Sequence, residues 1–126
     1  MTFSHSIKSF DELTNHELYD MLRLRSDVFV VEQNCPYLDL DNKDQKGFHL
    51  LYFGDNELAG VTRLLPAGIS YNEISIGRVA IAQSHRGLGL GRKLMEASIA
   101  GCEEKFGKAP IKISAQYHLS KFYQSL

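Results

Sequence analysis

The chain has 126 residues, a length typical of one compact domain, and 44% of them are hydrophobic, enough to bury a core without disulfides. Its net charge of −1 excludes a whole-protein field that attracts nucleic acid or anionic lipid. The two cysteines, Cys35 and Cys102, lie far apart, so we expect reduced thiols, no metal site and a cytoplasmic location. No apolar run approaches the roughly 18 residues of a membrane span.

The amino-terminal half predicts a strand, a helix and a loop, in that order. Alternating residues predict a strand over 3–7, and Thr14 followed by Glu17 is typical of a capping box at the start of a helix. Apolar residues at helical spacing continue until residues 32–47, which are polar. These residues include Asp39, Asp41 and Asp44, so we expect a solvated acidic loop.

The rest of the chain predicts a hairpin and then a strand–helix–strand unit. Residues 48–53 and 57–65 are strand-like and are separated by a Gly-Asp-Asn turn. Residues 73–82 suit a central strand in which Gly77 indicates a bulge or a nearby ligand. A helix is expected over 90–106, ended by Gly107, then a strand over 111–115 and a helix over 119–126. This order predicts an α/β or α+β domain over residues 1–126, with a mixed sheet flanked by helices.

The clearest chemical signal is the segment QSHRGLGLGRK, residues 83–93, between the central strand and the second helix. Three alternate glycines allow several backbone N–H groups to point the same way, and the helix N-terminus adds partial positive charge. Arg86, Arg92 and Lys93 add full charges, so the segment predicts a diphosphate site. It matches neither the Rossmann nor the P-loop fingerprint. A tight turn with solvated arginines is the alternative on spacing alone.

Residues 86–91, RGLGLG, resemble the R/Q-x-x-G-x-G/A acyl-CoA motif of the GNAT N-acetyltransferase superfamily. Residues 116–123, QYHLSKFY, look like the N-x-x-A-x-x-F-Y segment of the last GNAT helix, with Gln116 in place of Asn. More narrowly, residues 24–37, LRSDVFVVEQNCPY, together with IGRV at 76–79, are similar to the ElaA-type branch. The resemblance spans nearly the whole chain and implies a GNAT-like fold.

The resemblance also implies a cofactor, acetyl-CoA, and the residues that bind it. The backbone of residues 79–81 would pair with the pantetheine arm, and the amides of residues 86–92 would hold the pyrophosphate. The expected cofactor-binding residues are Val79, Ala80, Ile81, Arg86, Gly87, Leu88, Gly89, Leu90, Gly91, Arg92 and Gln116.

The activity that the resemblance implies is acetyl transfer from acetyl-CoA to a primary amine of a small molecule or peptide. Such an amine, with a pKa of about 10.4, must lose a proton before it attacks. Glu73 is the candidate base, its alternative being an exposed strand-edge residue, and Tyr123 is the candidate acid that protonates the departing thiolate. The Val79 or Ala80 amide would donate a hydrogen bond to the oxyanion of the tetrahedral intermediate. The expected acceptor-binding residues are Glu32, Gln33 and Arg78, with a capping or solvated role as the alternative for Glu32 and Gln33.

One feature departs from the family pattern. GNAT proteins continue beyond the tyrosine-bearing helix into two more strands, whereas this chain stops at Leu126. We therefore expect either a chain that is incomplete at its carboxyl end or a partner, such as the second chain of a homodimer, that covers the edge of strand 111–115.

Two other functions stay open, namely a non-catalytic acyl-CoA-binding module and a domain for another diphosphate nucleotide. Cys35 is interpreted as structural, and His85 and His118 as surface residues.

Overall fold

The computed structural model describes residues 1–114, which form a five-stranded sheet with one long helix packed on each face. In chain order the elements are β1 (Phe3–Ser9), α1 (Asn15–Ser26), β2 (Phe48–Gly54), β3 (Glu57–Leu65), β4 (Ile74–Ile81), α2 (Leu90–Phe106) and β5 (Ile111–Ile113). Strands β1 to β4 are antiparallel neighbours, and β5 is parallel to β4. The predicted mixed sheet flanked by helices is confirmed, whereas the helix predicted over 119–126 lies outside the described residues.

The first helix begins as the sequence predicts and ends differently. Glu17 N donates to Thr14 Oγ1 (3.0 Å), and Thr14 N donates to Glu17 Oε1 (2.9 Å), so the capping box is confirmed. After Ser26 the chain continues as a π-helical segment, Asp27–Glu32. The wider turn brings two consecutive apolar residues, Val28 and Phe29, into the core. π-helical turns are rare in proteins, and those that occur are often found at functional sites.

The core consists of two apolar layers, one on each face of the sheet. Because side chains of a strand alternate between faces, adjacent residues of β2, β3 and β4 contribute to opposite layers. The layer under α2 contains Leu50, Tyr52, Ala59, Leu64, Ile74, Ile76, Val79, Leu90, Leu94, Met95 and Cys102. The layer under α1 contains Met21, Leu24, Val28, Phe29, Leu51, Val61 and Ala80. The central strands are therefore fixed from both sides.

Strand β4 contains a bulge. Its register with β3 shifts so that Arg78 and Val79 lie opposite the single residue Thr62. Arg78 has φ +50°, a left-handed conformation that is uncommon for a residue with a side chain. The sequence predicts the irregularity at Gly77, and the structure places it one residue later.

The carboxyl half of β4 separates from β5. The two strands pair only over Ile74 to Ile76, with a further hydrogen bond from Ser114 N to Ile76 O of 2.8 Å. Within residues 1–114, residues 77–81 have no strand on their β5 side. A strand edge of this kind exposes unpaired N–H and C=O groups.

Among residues 1–114, no helix is long and apolar enough to cross a membrane.

Candidate functional site

The turn between β4 and α2, residues 82–89, is named the glycine turn below. It contains a short 3-10 segment, Gln83–His85, and then Gly87 with φ +82° and Gly89 with φ +72°. A Cβ built on either glycine meets no heavy atom within 4 Å. These two glycines are therefore required by backbone conformation and not by packing, as the sequence predicts.

Backbone donors collect along this turn. His85 N and Arg86 N donate to Ala82 O (2.9 Å) and Gln83 O (3.3 Å), so the Arg86 amide, which the sequence predicts to bind the diphosphate, already has an acceptor within the turn. Within residues 1–114, no acceptor receives the N–H groups of residues 87–89. Helix α2 has no side-chain cap, and the first-turn amides of an α-helix lack intrahelical acceptors. The row of donors thus begins at Gly87 and continues into the helix N-terminus, an arrangement that fits an anion.

A cleft of about 490 Å³ lies between the π-helical end of the first helix and the glycine turn. The first helix and its π-helical end contribute apolar residues and two carboxylates to its lining, and the glycine turn contributes Ala82 and two polar residues. The lining residues are Leu24, Asp27, Val28, Val31, Glu32, Ala82, Gln83 and Ser84. The cleft brings the predicted acceptor residue Glu32 next to the predicted cofactor turn.

Arg86 joins the two walls of this cleft. Its Nη1 donates to Glu32 Oε1, and its Nη2 donates to Glu32 Oε2 (2.9 Å). The same guanidinium donates to Ile81 O from Nε (3.1 Å) and Nη2 (2.9 Å). The hydrogen bond to Glu32 raises the pKa of Arg86, so the arginine stays charged. Two residues assigned to different subsites by the sequence are therefore partners of each other.

The other predicted cofactor residues lie around this turn or on the strand before it. Val79 packs toward α2 and Ala80 toward α1, which leaves their main-chain groups at the β4 edge. Leu88 is exposed at the tip of the turn, and Leu90 is buried at the start of α2. Gln116 and the candidate acid Tyr123 lie outside the described residues.

Glu73 lies far from the glycine turn. It is exposed, immediately before β4, and lines a second cavity of about 530 Å³ with Pro66, Phe106 and Pro110. Eight residues separate it from Ile81, about 26 Å along an extended strand. The structure does not bring Glu73 together with Glu32 or Arg86.

Residues 33–47, named the acidic segment below, are held by arginines from the helix and the sheet. Arg25 donates from Nε to Asp39 Oδ2 (2.8 Å) and from Nη1 to Asp44 Oδ1 (3.0 Å). Arg63 donates to both carboxylate oxygens of Asp41 (2.7 and 2.9 Å) and to Asp44 Oδ1 (3.0 Å). Each arginine thus binds two aspartates of the segment.

Arg78, the bulge residue of β4, is the third arginine of this network. Its Nη2 donates to Asp39 O (2.9 Å) and Asp41 Oδ2 (3.1 Å), and its guanidinium lies 5.5 Å from the centre of the Tyr37 ring. The guanidinium is engaged by the acidic segment, so the predicted contact between Arg78 and an acceptor stays a prediction. The other predicted acceptor residue, Gln33, is exposed just after the π-helical segment.

The expectation of a solvated acidic loop is wrong. Asp44 is 5% exposed and Arg25 is 1% exposed, because the segment folds over the arginines. Burial opposes ionisation of Asp44, but the charges and hydrogen bonds of Arg25 and Arg63 outweigh it and lower the pKa of Asp44. Buried His49 donates from Nε2 to Asp44 O (2.7 Å), and burial lowers its pKa, so it stays neutral.

The sequence contains a signal for this network. Arg63 stands inside the apolar strand β3, where a charged residue must be paired if it is buried. Two aspartates of the acidic segment, Asp41 and Asp44, supply its partners. The signal predicts an ion pair but not which aspartate pairs with which arginine.

The histidine and cysteine predictions are partly corrected. His85 is 3% exposed and lies 2.9 Å from Ser84 Oγ through Nδ1, so its assignment to the surface is wrong. Cys35 is exposed, which does not fit a packing role, and Cys102 is buried. Burial raises the pKa of the Cys102 thiol to about 12, so it is not a nucleophile. His118 lies outside the described residues.

Known proteins share this architecture. The chain matches the model of the GNAT acetyltransferase domain over residues 19–126. Protein ElaA of Escherichia coli K12 is 40% identical over 116 residues, which cover 90% of this chain and 76% of ElaA. The crystal structure of Escherichia coli ElaA matches with a TM-score of 0.90 at 36% identity, covering 98% of this chain and 85% of that chain.

A second solved structure agrees with the first. An acyl-CoA N-acyltransferase from Pseudomonas aeruginosa matches with a TM-score of 0.89 at 37% identity, covering 98% of this chain and 86% of that chain. Sequence and structure thus lead to the same family through the glycine turn, the mixed sheet and the two helices. The predicted GNAT fold is confirmed, and the chain belongs to the ElaA-like branch of the GNAT acetyltransferase family.

Proposed function

We propose that the protein transfers an acetyl group from acetyl-CoA to a primary amine of a small molecule or peptide. The observation that carries this proposal is the row of backbone donors that begins at Gly87 and runs into the uncapped N-terminus of α2. It lies next to the strand edge of residues 77–81. Membership of a family of acyl-CoA-dependent acyltransferases supports the same cofactor.

The cofactor is held in this proposal by main-chain groups. The amides of residues 87–92 bind the pyrophosphate, since a helix N-terminus and a row of glycine amides favour an anion. The β4 edge over residues 79–81 pairs with the pantetheine arm as an added strand would. Gln116 is a further proposed contact. Bound acetyl-CoA supplies the acetyl group as an activated thioester.

The chemistry needs a base, an oxyanion donor and an acid. Gln33 is a proposed contact of the acceptor. Glu73, the base expected from the sequence, lies at the far end of β4 from Gln33, so it does not reach an acceptor bound there. The Val79 or Ala80 amide, at the bulged strand edge, donates to the negative charge that develops on the acyl oxygen. The Tyr123 hydroxyl gives its proton to the departing thiolate.

Thiol release tests the proposal. Purified protein is incubated with acetyl-CoA and a panel of primary amines, and free thiol and product mass are measured. We expect release that depends on the acceptor, and a Tyr123→Phe variant should lower kcat by about 10²-fold or more while the Kd for CoA is unchanged. The matched control Tyr19→Phe alters an exposed tyrosine on α1 and should leave kcat unchanged.

Two outcomes would contradict the proposal. Binding of CoA without acceptor-dependent thiol release across the panel would indicate a binding module. Stronger protection against thermal unfolding by ATP or NAD than by acetyl-CoA at equal concentration would indicate a different diphosphate ligand, because protection follows affinity for the native state.

A further inference from the structure

The contacts of Arg86 bear on how the cofactor site is built. A guanidinium has two edges that form paired hydrogen bonds, one through Nη1 and Nη2 and the other through Nε and Nη2. Glu32 takes the first edge, and Ile81 O takes the second. Neither edge is left for paired recognition of a phosphate.

These contacts connect three parts of the cleft. Ile81 is the last residue of β4, Glu32 is the last residue of the π-helical segment, and Arg86 follows the 3-10 segment of the glycine turn. One side chain therefore fixes the direction in which the chain leaves β4 and the separation of the two walls of the cleft. The N–H groups of residues 87–89 follow directly.

The charges of Glu32 and Arg86 also bear on how the cofactor site is built. A lone carboxylate in the wall of a diphosphate site would repel the ligand, because both are negatively charged. Pairing with Arg86 cancels the charge of Glu32 in that wall. The carboxylate is therefore tolerated in that wall because it is paired with Arg86.

We propose that Glu32 and Arg86 form a positioning pair that sets the geometry of the glycine turn, so that Glu32 serves the cofactor site and Arg86 binds backbone and carboxylate instead of phosphate. This inference rests on the proposed binding of acetyl-CoA. It reassigns Glu32 from the acceptor pocket to the cofactor site.

Affinity for acetyl-CoA distinguishes this role from a direct phosphate contact. Calorimetry gives the Kd for acetyl-CoA of the wild-type protein, Glu32→Gln and Arg86→Lys. Glu32→Gln removes a negative charge beside an anion site, so simple electrostatics predicts tighter binding, whereas loss of a positioning pair predicts a Kd about tenfold higher. Arg86→Lys keeps the charge and loses both paired edges, so it should weaken binding to a similar degree. If Arg86 bound phosphate directly, the Arg86→Lys variant would keep most of the affinity for acetyl-CoA, because lysine also binds phosphate.

Matched controls separate these effects from changes in total charge or fold. Glu104→Gln makes the same charge change on an exposed residue of α2, about 21 Å from its N-terminus along the helix axis, and should leave the Kd within about twofold. The pair is partly exposed, so the melting temperature of Glu32→Gln should stay close to that of the wild-type protein. In that variant the KM for acetyl-CoA should rise while kcat at saturation stays near the wild-type value.

Each outcome decides the question. A Glu32→Gln variant that binds acetyl-CoA as tightly as the wild-type protein, or more tightly, would overturn the positioning role. So would an Arg86→Lys variant of wild-type affinity. Failure of the wild-type protein to bind acetyl-CoA would instead overturn the proposed function, and the positioning role with it.

Discussion

In the acidic segment, three aspartates pair with three arginines beneath residues 33–47, whereas the glycine turn leaves the N–H groups of residues 87–89 without an acceptor in residues 1–114. The first region pairs its charged groups with one another. The second holds donors in a fixed row. The difference separates a region whose ion pairs stabilise the fold from a region whose donors are available to an anion, which we propose to be the cofactor.

The largest expected effect on stability is at Asp44. Asp44→Asn leaves the buried guanidinium groups of Arg25 and Arg63 short of one negative partner. Removing one member of a buried ion pair costs about 3–5 kcal/mol, so we expect the free energy of unfolding to fall by that amount. Urea unfolding measures it, and Asp11→Asn, on an exposed residue, is the control.

The Asp44→Asn variant also tests whether the acidic segment and the glycine turn act independently. Folded Asp44→Asn protein should bind acetyl-CoA with wild-type affinity, because the acidic segment does not supply the row of donors. A loss of stability below about 1 kcal/mol would contradict the structural role of the network. A large rise in Kd in the folded variant would contradict the separation of the two regions.

The largest expected effect on binding is at Gly89. Gly89→Val forces a β-branched residue into φ +72° and places a side chain beside the row of donors. We expect acetyl-CoA affinity to fall by about 100-fold or more, equivalent to about 2.7 kcal/mol. The strain should cost about 1–2 kcal/mol of unfolding free energy, which leaves the protein folded.

Gly107→Val is the control for strain. Gly107 has φ +89° with no atom within 4 Å of a built Cβ, and it follows α2 at the end away from the glycine turn. Its conformation, φ +89° and ψ 168°, is essentially restricted to glycine, so its substitution imposes at least as large a backbone penalty without touching the donor row, and acetyl-CoA affinity should be kept. Equal loss of affinity in both variants would show that strain, and not the site, governs binding.

Much of the fold was predictable from the sequence, and the reasons differ between the two regions. The glycine turn is local: alternate glycines between a strand and a helix dictate its chemistry through backbone conformation alone. The acidic segment is not local, because Asp44 contacts Arg25 and Arg63, both 19 residues away. Pairings of that kind depend on tertiary packing, which hydrophobic periodicity does not encode.

The same distinction explains the errors at single residues. His85 is the last residue of the 3-10 segment and packs over Gly54 of a distant strand, where a Cβ would lie 3.1 Å from the imidazole. The pairing of Glu32 with Arg86 spans 54 residues. The capping box at Thr14, in contrast, spans three residues and is confirmed.

Acidic pH should lower the free energy of unfolding by removing the charge of Asp41, but by less than the Asp44→Asn substitution does. Burial opposes ionisation of Asp41, but hydrogen bonds and the charge of Arg63 outweigh it and lower its pKa to about 2 from 3.8. Because the folded pKa is the lower one, the stabilisation is present above about pH 4 and is lost as pH falls toward 2. We expect Asp41 to contribute about 1 kcal/mol of this loss, allowing for solvent screening.

Urea unfolding at a series of pH values between 2 and 6 measures the effect. The difference in unfolding free energy between the wild-type protein and Asp41→Asn should shrink as pH falls. A constant difference across that range would show that the Asp41 carboxylate is not stabilised in the folded protein.

The smallest expected effect is at a site that belongs to neither region. Thr14→Ala removes the hydroxyl that accepts from Glu17 N at the start of α1, which costs about 1 kcal/mol of unfolding free energy. Acetyl-CoA affinity should be unchanged. Thr14→Ser keeps the hydroxyl and should recover most of the stability, and failure to do so would assign the loss to the methyl group instead of the cap.

Amide NMR during titration with acetyl-CoA tests the central claim most directly. The ¹H–¹⁵N resonances of residues 87–92 should show the largest shifts among residues 1–114, together with those at the β4 edge, while the amides of residues 39–44 stay nearly unchanged. Saturable binding that leaves the resonances of residues 87–92 in place would contradict the account, because the diphosphate would then be held elsewhere.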